Sequence, residues 1–379
     1  MHAPASLEEA SGLLHEFAAK RRTVGFTGAD RSGGPLRVQV DETVSTRALA
    51  EIVEYVPTDQ IVTVQAGMTV ARLQGALREH KQRLALDPPA PERTTIGGAV
   101  ASAGYGPLRT RYGTARDVIV GMTIVRADGT IARGGGKVVK NVAGFDIPKL
   151  MVGTYGTLAM VGTITFRLHP LPPASSDVVF PACDAAALRS LCATMTQAQL
   201  EPSAVYATFD ATSYACDVRF EGFPAGVAAQ REALLALAQR ERSEDASLDD
   251  GHEAARTAGD VQVKITAAPS MLEDLHARAV APLYRALGAA HAVVYPFVGA
   301  AFVSGDCTDV PRLLSALAAA RAWAESAGGT LVTTEAPAAI RDAFDPWGAP
   351  PGSFALMRAL KERFDPQRRL SPGGFVGGL

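Results

Sequence analysis

TTIGGAVASAGYGPLRTRYG, residues 94–113, decides how the rest of the chain is read. It holds two small-residue loops, 95–99 and 103–106, and a third follows at 153–156 in GTYG. Glycine at such places removes the Cβ that would keep a large ligand away, and consecutive backbone N–H groups beside a helix start can receive phosphate oxygens. A diphosphate cofactor fits that chemistry. Any one of these loops alone reads as a turn in a loop-rich β domain; three within residues 91–170 point to a binding site.

Downstream of this stretch, residues 117–125 and 130–133 predict a hairpin around Ala127-Asp128-Gly129, a turn signal flanked by β-branched residues. GGGKVVKNVAGFDIPKL follows, and Asp146 is placed to cap a helix over 147–152. Lys137 and Lys140 can reach a phosphate or a flavin carbonyl, although exposed loop lysines are usually only solvated. Residues 158–168 predict a strand, and His169-Pro170-Leu171-Pro172-Pro173 breaks it, marking a domain boundary. His169 reads as a packed or solvated histidine, not as a base.

Upstream, residues 7–20 have helical spacing, 23–26 and 36–40 read as strands, and TGADRSGG (27–34) lies between them. A turn centred on Gly28 can aim N–H groups at a phosphate, with Arg31 as countercharge and Asp30 bracing the loop. A helix over 46–55, a strand over 61–65 and a helix over 70–80 complete an α+β alternation. No GxGxxG follows the first strand, so the pattern is not that of a Rossmann fold.

Beyond residue 177 a series of strand, helix, hairpin and helix appears twice. The first round is 178–180, 185–199, 204–209 with 214–220, and 226–240; the second is 261–266, 271–287, 291–297 with 300–304, and 310–327, closed by a strand over 330–334. This repetition predicts a duplicated ferredoxin-like sheet with helices on one face. Residues 242–259 are polar and acidic and read as a loop. Residues 336–352 are Pro- and Gly-rich, after which Ser353 is placed to cap a helix ending at 364.

With 47% hydrophobic and 20% charged residues the chain reads as ordinary globular protein, and a net charge of −2 argues against nucleic acid as partner. Cys183, Cys192, Cys216 and Cys307 fall in no cluster-binding spacing. The N-terminus lacks a basic start and an apolar core, and no run approaches membrane-spanning length, so a cytoplasmic protein is expected.

Four stretches taken together resemble the vanillyl-alcohol oxidase, or PCMH, type of FAD-binding flavoprotein, and within it the glycolate oxidase FAD-binding subunits. They are VTVQAGMTVARLQ (62–74), residues 94–121, residues 137–172, and FDPQRRLSPGG (364–374). The resemblance implies an FAD-binding domain of two α+β subdomains over 1–173, a cap domain over 174–335, and a C-terminal segment, 336–379, returning to the FAD domain. It implies that Thr27, Gly28, Ala29, Asp30 and Arg31 together with Thr95, Ile96, Gly97 and Gly98 hold the diphosphate. Ala103, Gly104, Tyr112 and Gly113, with Gly153, Gly156 and Thr157, would line the rest of the cofactor. Lys140 and Gly144 belong to the same set, and Val161 would meet adenine. Neither His nor Cys occurs in the first loop or near TIGG, so the FAD is expected to be non-covalent.

The resemblance further implies glycolate oxidation to glyoxylate in a complex, with a catalytic flavoprotein subunit and an iron–sulfur subunit as partners and a quinone as final acceptor. Association with the inner face of the cell membrane would come only through that complex. No residue is assigned a catalytic role. Relatives that oxidise 2-hydroxy acids carry a metal-binding histidine pair, where HAVVYPFVGAAFVSG (291–305) has only His291, and His252 lies in the acidic loop; no metal site is expected. Two alternatives stand beside this reading. One is a stand-alone FAD-dependent dehydrogenase of D-lactate type, with Arg109 or Arg111 as the carboxylate's cation. The other is a non-catalytic scaffold, suggested by Asp30 beside a diphosphate.

Overall fold

A computed structural model describes residues 1–28, 38–136, 145–238 and 251–379. The chain forms two compact units, one of Met1–Gly106, Gly113–Leu171 and Pro350–Leu379, the other of Pro107–Tyr112 and Pro172–Ala349.

The first unit is built on an antiparallel five-stranded sheet. Its strands are β3 (Ile52–Val56), β4 (Ile61–Gln65), β6 (Ile119–Arg126), β7 (Ile131–Gly135) and β8 (Ala159–Arg167), in the order β3-β4-β8-β6-β7. β4 alternates strictly, turning Val62 and Val64 into the core, as a strand with one buried face must. Val70, Leu73 and Leu77 lie on one side of the helix Val70–Arg78 and join that core, and Thr69 caps the helix by accepting the N–H of Arg72 at 3.3 Å.

A parallel pair, β1 (Val24–Thr27) and β2 (Glu42–Ser45), packs beneath the helix Leu7–Ala19, whose Leu14 and Phe17 meet Val24 and Val44. Between these come the short β5 (Gln82–Arg83) and, after β8, β9 (His169–Pro170), which pair with each other. His169 is half-buried there, its pKa lowered by burial and then by Arg167 and Arg83, as a packed histidine's would be.

Two local expectations fail in this unit. Residues 46–55 form no helix: Leu49, Ile52, Val53 and Val56 have helical spacing, but the β-branched residues pair as β3 with β4, from Ile52↔Val64 to Val56↔Ile61. Cross-strand pairing outweighs the local period. The partner of β1 is β2 instead of a strand over 36–40; residues 38–40 are not strand, and 36 and 37 lie outside the described residues.

The second unit carries seven strands, β10 (Ala174–Cys183), β11 (Ala204–Phe209), β12 (Tyr214–Gly222), β13 (Val261–Thr266), β14 (Gly288–Tyr295), β15 (Ala300–Asp306) and β16 (Thr330–Glu335). They form one antiparallel sheet in the order β10-β12-β11-β14-β15-β13-β16. The last four, read as strands 2-3-1-4 of a βαββαβ unit, are a complete ferredoxin-like half. The first three repeat it as 1-3-2, and the halves join edge to edge where Ala207, Thr208 and Phe209 of β11 pair with Val294, Val293 and Ala292 of β14. The predicted duplication is therefore present.

The helices Ala185–Gln197, Pro224–Ala238 and Val310–Ser326 pack on one sheet face, with Leu188, Leu234 and Leu317 fully buried. The segment 272–286 joins them, interrupted by a π-helical turn at His276–Val280. The acidic stretch reads differently from expectation: 239–250 lie outside the described residues, but Gly251–Thr257 is a helix against β14 and β15. Residues 336–349 stay with this unit, where Arg321 donates to the carbonyls of Asp345 and Pro346. Among the described residues no helix is long and apolar enough to cross a membrane.

A Cβ on Gly67 would collide with the carbonyl oxygen of Thr46 and stand 2.7 Å from that of Leu49. Gly67→Ala is expected to cost about 1–3 kcal/mol by overpacking, and a thermal melt should show the midpoint falling by roughly 2–4 °C for each kcal/mol.

Candidate cofactor site

The three glycine loops of the first unit converge. A Cβ on Gly28 would strike the Thr95 hydroxyl, and one on Gly156 would sit 2.9 Å from the Phe26 ring. The N–H of Gly153 donates to Val100 O (3.1 Å) and that of Tyr155 to Ala101 O (2.9 Å), while Ala103 Cβ lies 3.5 Å from the Cβ position of Gly153. Thr27, at the end of β1, accepts the N–H of Thr46 at 2.8 Å. Residues 26–28, 95–104 and 153–157 are thus laced into one surface.

Backbone strain concentrates on it. Ala103 (φ +50°) and Tyr155 (φ +52°) are left-handed without being glycine, next to Gly153 and Gly156 at φ +83° and +75°. Left-handed non-glycine residues persist only where their surroundings hold them, often at ligand sites. Thr157 is buried, donating its hydroxyl to Thr154 O at 2.7 Å.

The 95–98 loop departs from expectation. Thr95 caps the six-residue helix Ile96–Ala101, accepting the N–H of Gly98 at 3.1 Å. Ile96 donates to Met68 O (2.8 Å) and Gly97 to Ala66 O (2.7 Å), so these N–H groups are not presented to a phosphate. Gly97 is glycine because a Cβ there would stand 2.7 Å from Ala66 Cβ. What the loop offers a ligand is the Thr95 hydroxyl proton, since that oxygen accepts one bond and still donates one. Among the described residues no acceptor takes the N–H of Gly156.

The remaining sequence candidates fall as follows. A Cβ on Gly104 would stand 3.3 Å from Pro88 Cβ, and Gly113 (φ +76°) precedes the Thr114–Asp117 capping box. Val161 is buried in β8 opposite Ile124. Tyr112 belongs to the second unit. Ala29, Asp30, Arg31, Lys137, Lys140 and Gly144 lie outside the described residues. Asp146 caps its helix by accepting the N–H of Lys149 at 3.1 Å. Ser353 caps nothing with its side chain; at φ −82°, ψ 6° it lacks the extended backbone that a capping side chain needs.

The second unit holds a cationic cluster. Val263 and Ile265 of β13 face the helices, so Lys264 faces the other way, directly opposite Phe302 of β15. The Arg256 guanidinium lies over that ring at 4.3 Å and donates to the Tyr295 hydroxyl at 3.1 Å. Burial first, and then the charges of Arg109 and Arg256, push the Lys264 ammonium down to about 8. Arg111 instead pairs with Glu201 at 3.3 Å. His252 stacks on Tyr206 at 4.9 Å and His291 is exposed. Among the described residues no three His, Cys, Asp or Glu side chains gather to hold a metal.

Close backbone approach, hydroxyl and amide donors and a strained wall fit a flat dinucleotide. Residues 1–135 match the family described as FAD binding domain. The chain carries an FAD binding domain. Its cofactor is FAD, which supplies when bound a two-electron acceptor that side chains lack.

The chain is 34% identical to glycolate oxidase subunit GlcE of Escherichia coli (strain K12) over 196 residues, 51% of this chain and 54% of that one. It is 33% identical to a D-lactate dehydrogenase of Archaeoglobus fulgidus over 171 residues, 44% of this chain and 38% of that one. The chain thus spans about half the length of these relatives or less. An uncharacterised FAD-linked oxidoreductase of Mycobacterium tuberculosis is 25% identical across 99% of this chain and 90% of its own. In fold, an alkyldihydroxyacetonephosphate synthase superposes with a TM-score of 0.72 at 16% identity, covering 98% of this chain and 76% of that one. The α+β, PCMH-type fold is shared.

Gly156→Ala puts a methyl group against Phe26 at a left-handed position. The expected result is FAD affinity lowered about tenfold or more, equal to about 1.4 kcal/mol, read by titrating apoprotein with FAD while far-ultraviolet circular dichroism stays unchanged.

Proposed function

We propose that this chain is the FAD-binding subunit of a glycolate oxidase complex, taking part in the oxidation of glycolate to glyoxylate. Electrons would pass through flavin and a partner iron–sulfur subunit to a quinone, beside a catalytic flavoprotein subunit. The complex would work in the cytoplasm, and any membrane association would come through the partners. The observation that carries the substrate class is the gathering of Lys264, Arg109 and Arg256 in the second unit. Three cations gathered on one face suit an anion, and a 2-hydroxy acid brings a carboxylate.

The same cluster supports a second reading, in which the chain binds and oxidises a 2-hydroxy acid such as D-lactate by itself. An anaerobic visible spectrum of the purified chain, before and after glycolate or D-lactate, separates the two. Bleaching of the flavin by the chain alone supports the stand-alone enzyme. A flavin that stays oxidised until the partner subunits are added supports the complex, and one reduced under neither condition overturns both readings.

The cluster also sets a pH dependence. Carboxylate affinity should fall as pH rises through about 8, where Lys264 loses its proton, and Lys264→Met should weaken binding and flatten that profile. Because the folded-state pKa lies below lysine's ordinary value, the unfolded chain binds more protons between the two, so this group's contribution to stability rises with pH there. Lys264→Met should therefore raise the melting temperature at pH 7, with a gain that shrinks above pH 8.

A further inference from the structure

Lys361, on the helix Phe354–Phe364, is 2% exposed, and Asp365 just beyond that helix is fully buried. The ammonium donates to Asp365 Oδ2, Leu370 O and Thr157 O, each at 2.8 Å. All three of its protons are placed. Asp365 in turn accepts the N–H of Arg369 (3.0 Å, Oδ1) and of Leu370 (2.8 Å, Oδ2).

The folded-back segment then runs along β1. Val24 donates to Arg369 O at 2.8 Å and Ser371 donates to Val24 O at 2.9 Å. β1 leads directly into Gly28, and on the other side the Phe375 ring lies 6.1 Å from that of Tyr155. The C-terminal segment therefore grips the strand before the first loop and, through Thr157 and Tyr155, the 153–157 loop.

We infer that Lys361 is a positioning residue for the cofactor site and that FAD binding is coupled to the docking of residues 350–379. The inference rests on the 153–157 loop being a wall of the FAD site. Lys361 fixes the carbonyl of Thr157 and with it the Thr157–Leu158 peptide that ends the loop, and it does so only while Asp365 holds the segment in place. Coupling of this kind is reciprocal: FAD that orders the loop tightens the segment, and a displaced segment loosens FAD.

Hydrogen exchange on the full chain, with and without FAD, tests the first direction without a variant. FAD should slow the amides of Arg369, Leu370 and Ser371 about tenfold, within the usual range of coupling between sites, alongside the amides of 153–157. Slowing of the loop without the segment overturns the coupling. Slowing of neither overturns the assignment of the loop to the FAD site as well.

The variant test compares Lys361→Met with Leu77→Ala, which opens a cavity in the same unit under the helix Val70–Arg78. Lys361→Met should lower FAD affinity about tenfold, and Leu77→Ala should leave it near the wild-type value although both lower the melting temperature. Equal losses of affinity in the two variants would show a merely structural lysine.

Discussion

An ammonium group can be buried only where every one of its protons finds an acceptor, and the first unit is arranged to meet that condition at Lys361. Its three acceptors come from three places in the chain: Thr157 in a loop after the core helix Ile147–Met151, Asp365 one turn on, and Leu370 in the terminal segment. Burial lowers the pKa of Lys361 and the carboxylate of Asp365 opposes that shift. Losing one member of such a pair leaves the other charge stranded, a loss of about 3–5 kcal/mol. The pair thus adds little as attraction and a great deal as specification: one register of the terminal segment satisfies it, and that register places Leu370 beside Val24.

The second unit solves a different problem. A seven-stranded sheet with helices on one face leaves a second face to be covered, and the helix Gly251–Thr257 lies on it, with His252 on Tyr206 and Arg256 on Phe302 and Tyr295. Aromatic rings under a guanidinium are a favourable support for a cation, and the Phe302 and Tyr295 rings supply it to Arg256. Lys264, on the same face, is pushed towards its neutral form by burial and then by the charges of Arg109 and Arg256. A residue kept where it opposes folding points to chemistry more than to architecture.

Much of this was legible in the sequence. Alternation marked the strands of both units, and the repeated strand–helix–hairpin–helix series marked the duplication, because those signals are local. The segment 46–55 misled for the same reason: its apolar spacing is helical, and only the pairing with β4 makes it a strand. The glycines of TTIGG announced close approach, yet sequence could not say that Met68 and Ala66, from the preceding stretch, would take the N–H groups of Ile96 and Gly97. Lys361 reads as an ordinary solvated residue near a helix end, and its burial depends on a carbonyl 204 residues away. Lys264 reads as the polar alternate of a half-exposed strand, because nothing local to VQVKIT shows that its face is crowded by two arginines.

Those two lysines divide the labour between the units. With the N–H groups of Ile96 and Gly97 engaged inside the fold, the precision of the candidate cofactor surface would rest on the Gly28, Thr95 and 153–157 elements. These are loops, which by themselves hold geometry poorly; a site is sharp only when a further layer of contacts locks it. The terminal segment provides that layer through backbone pairing to β1 and the Lys361 ammonium. The left-handed Tyr155 explains why so much is committed there: a strained residue reverts unless its neighbours over-determine it. Tyr155 is held by its N–H to Ala101 O on one side and by the Phe375 ring on the other. The C-terminal residues are therefore as much a part of the first unit as the glycine loops are.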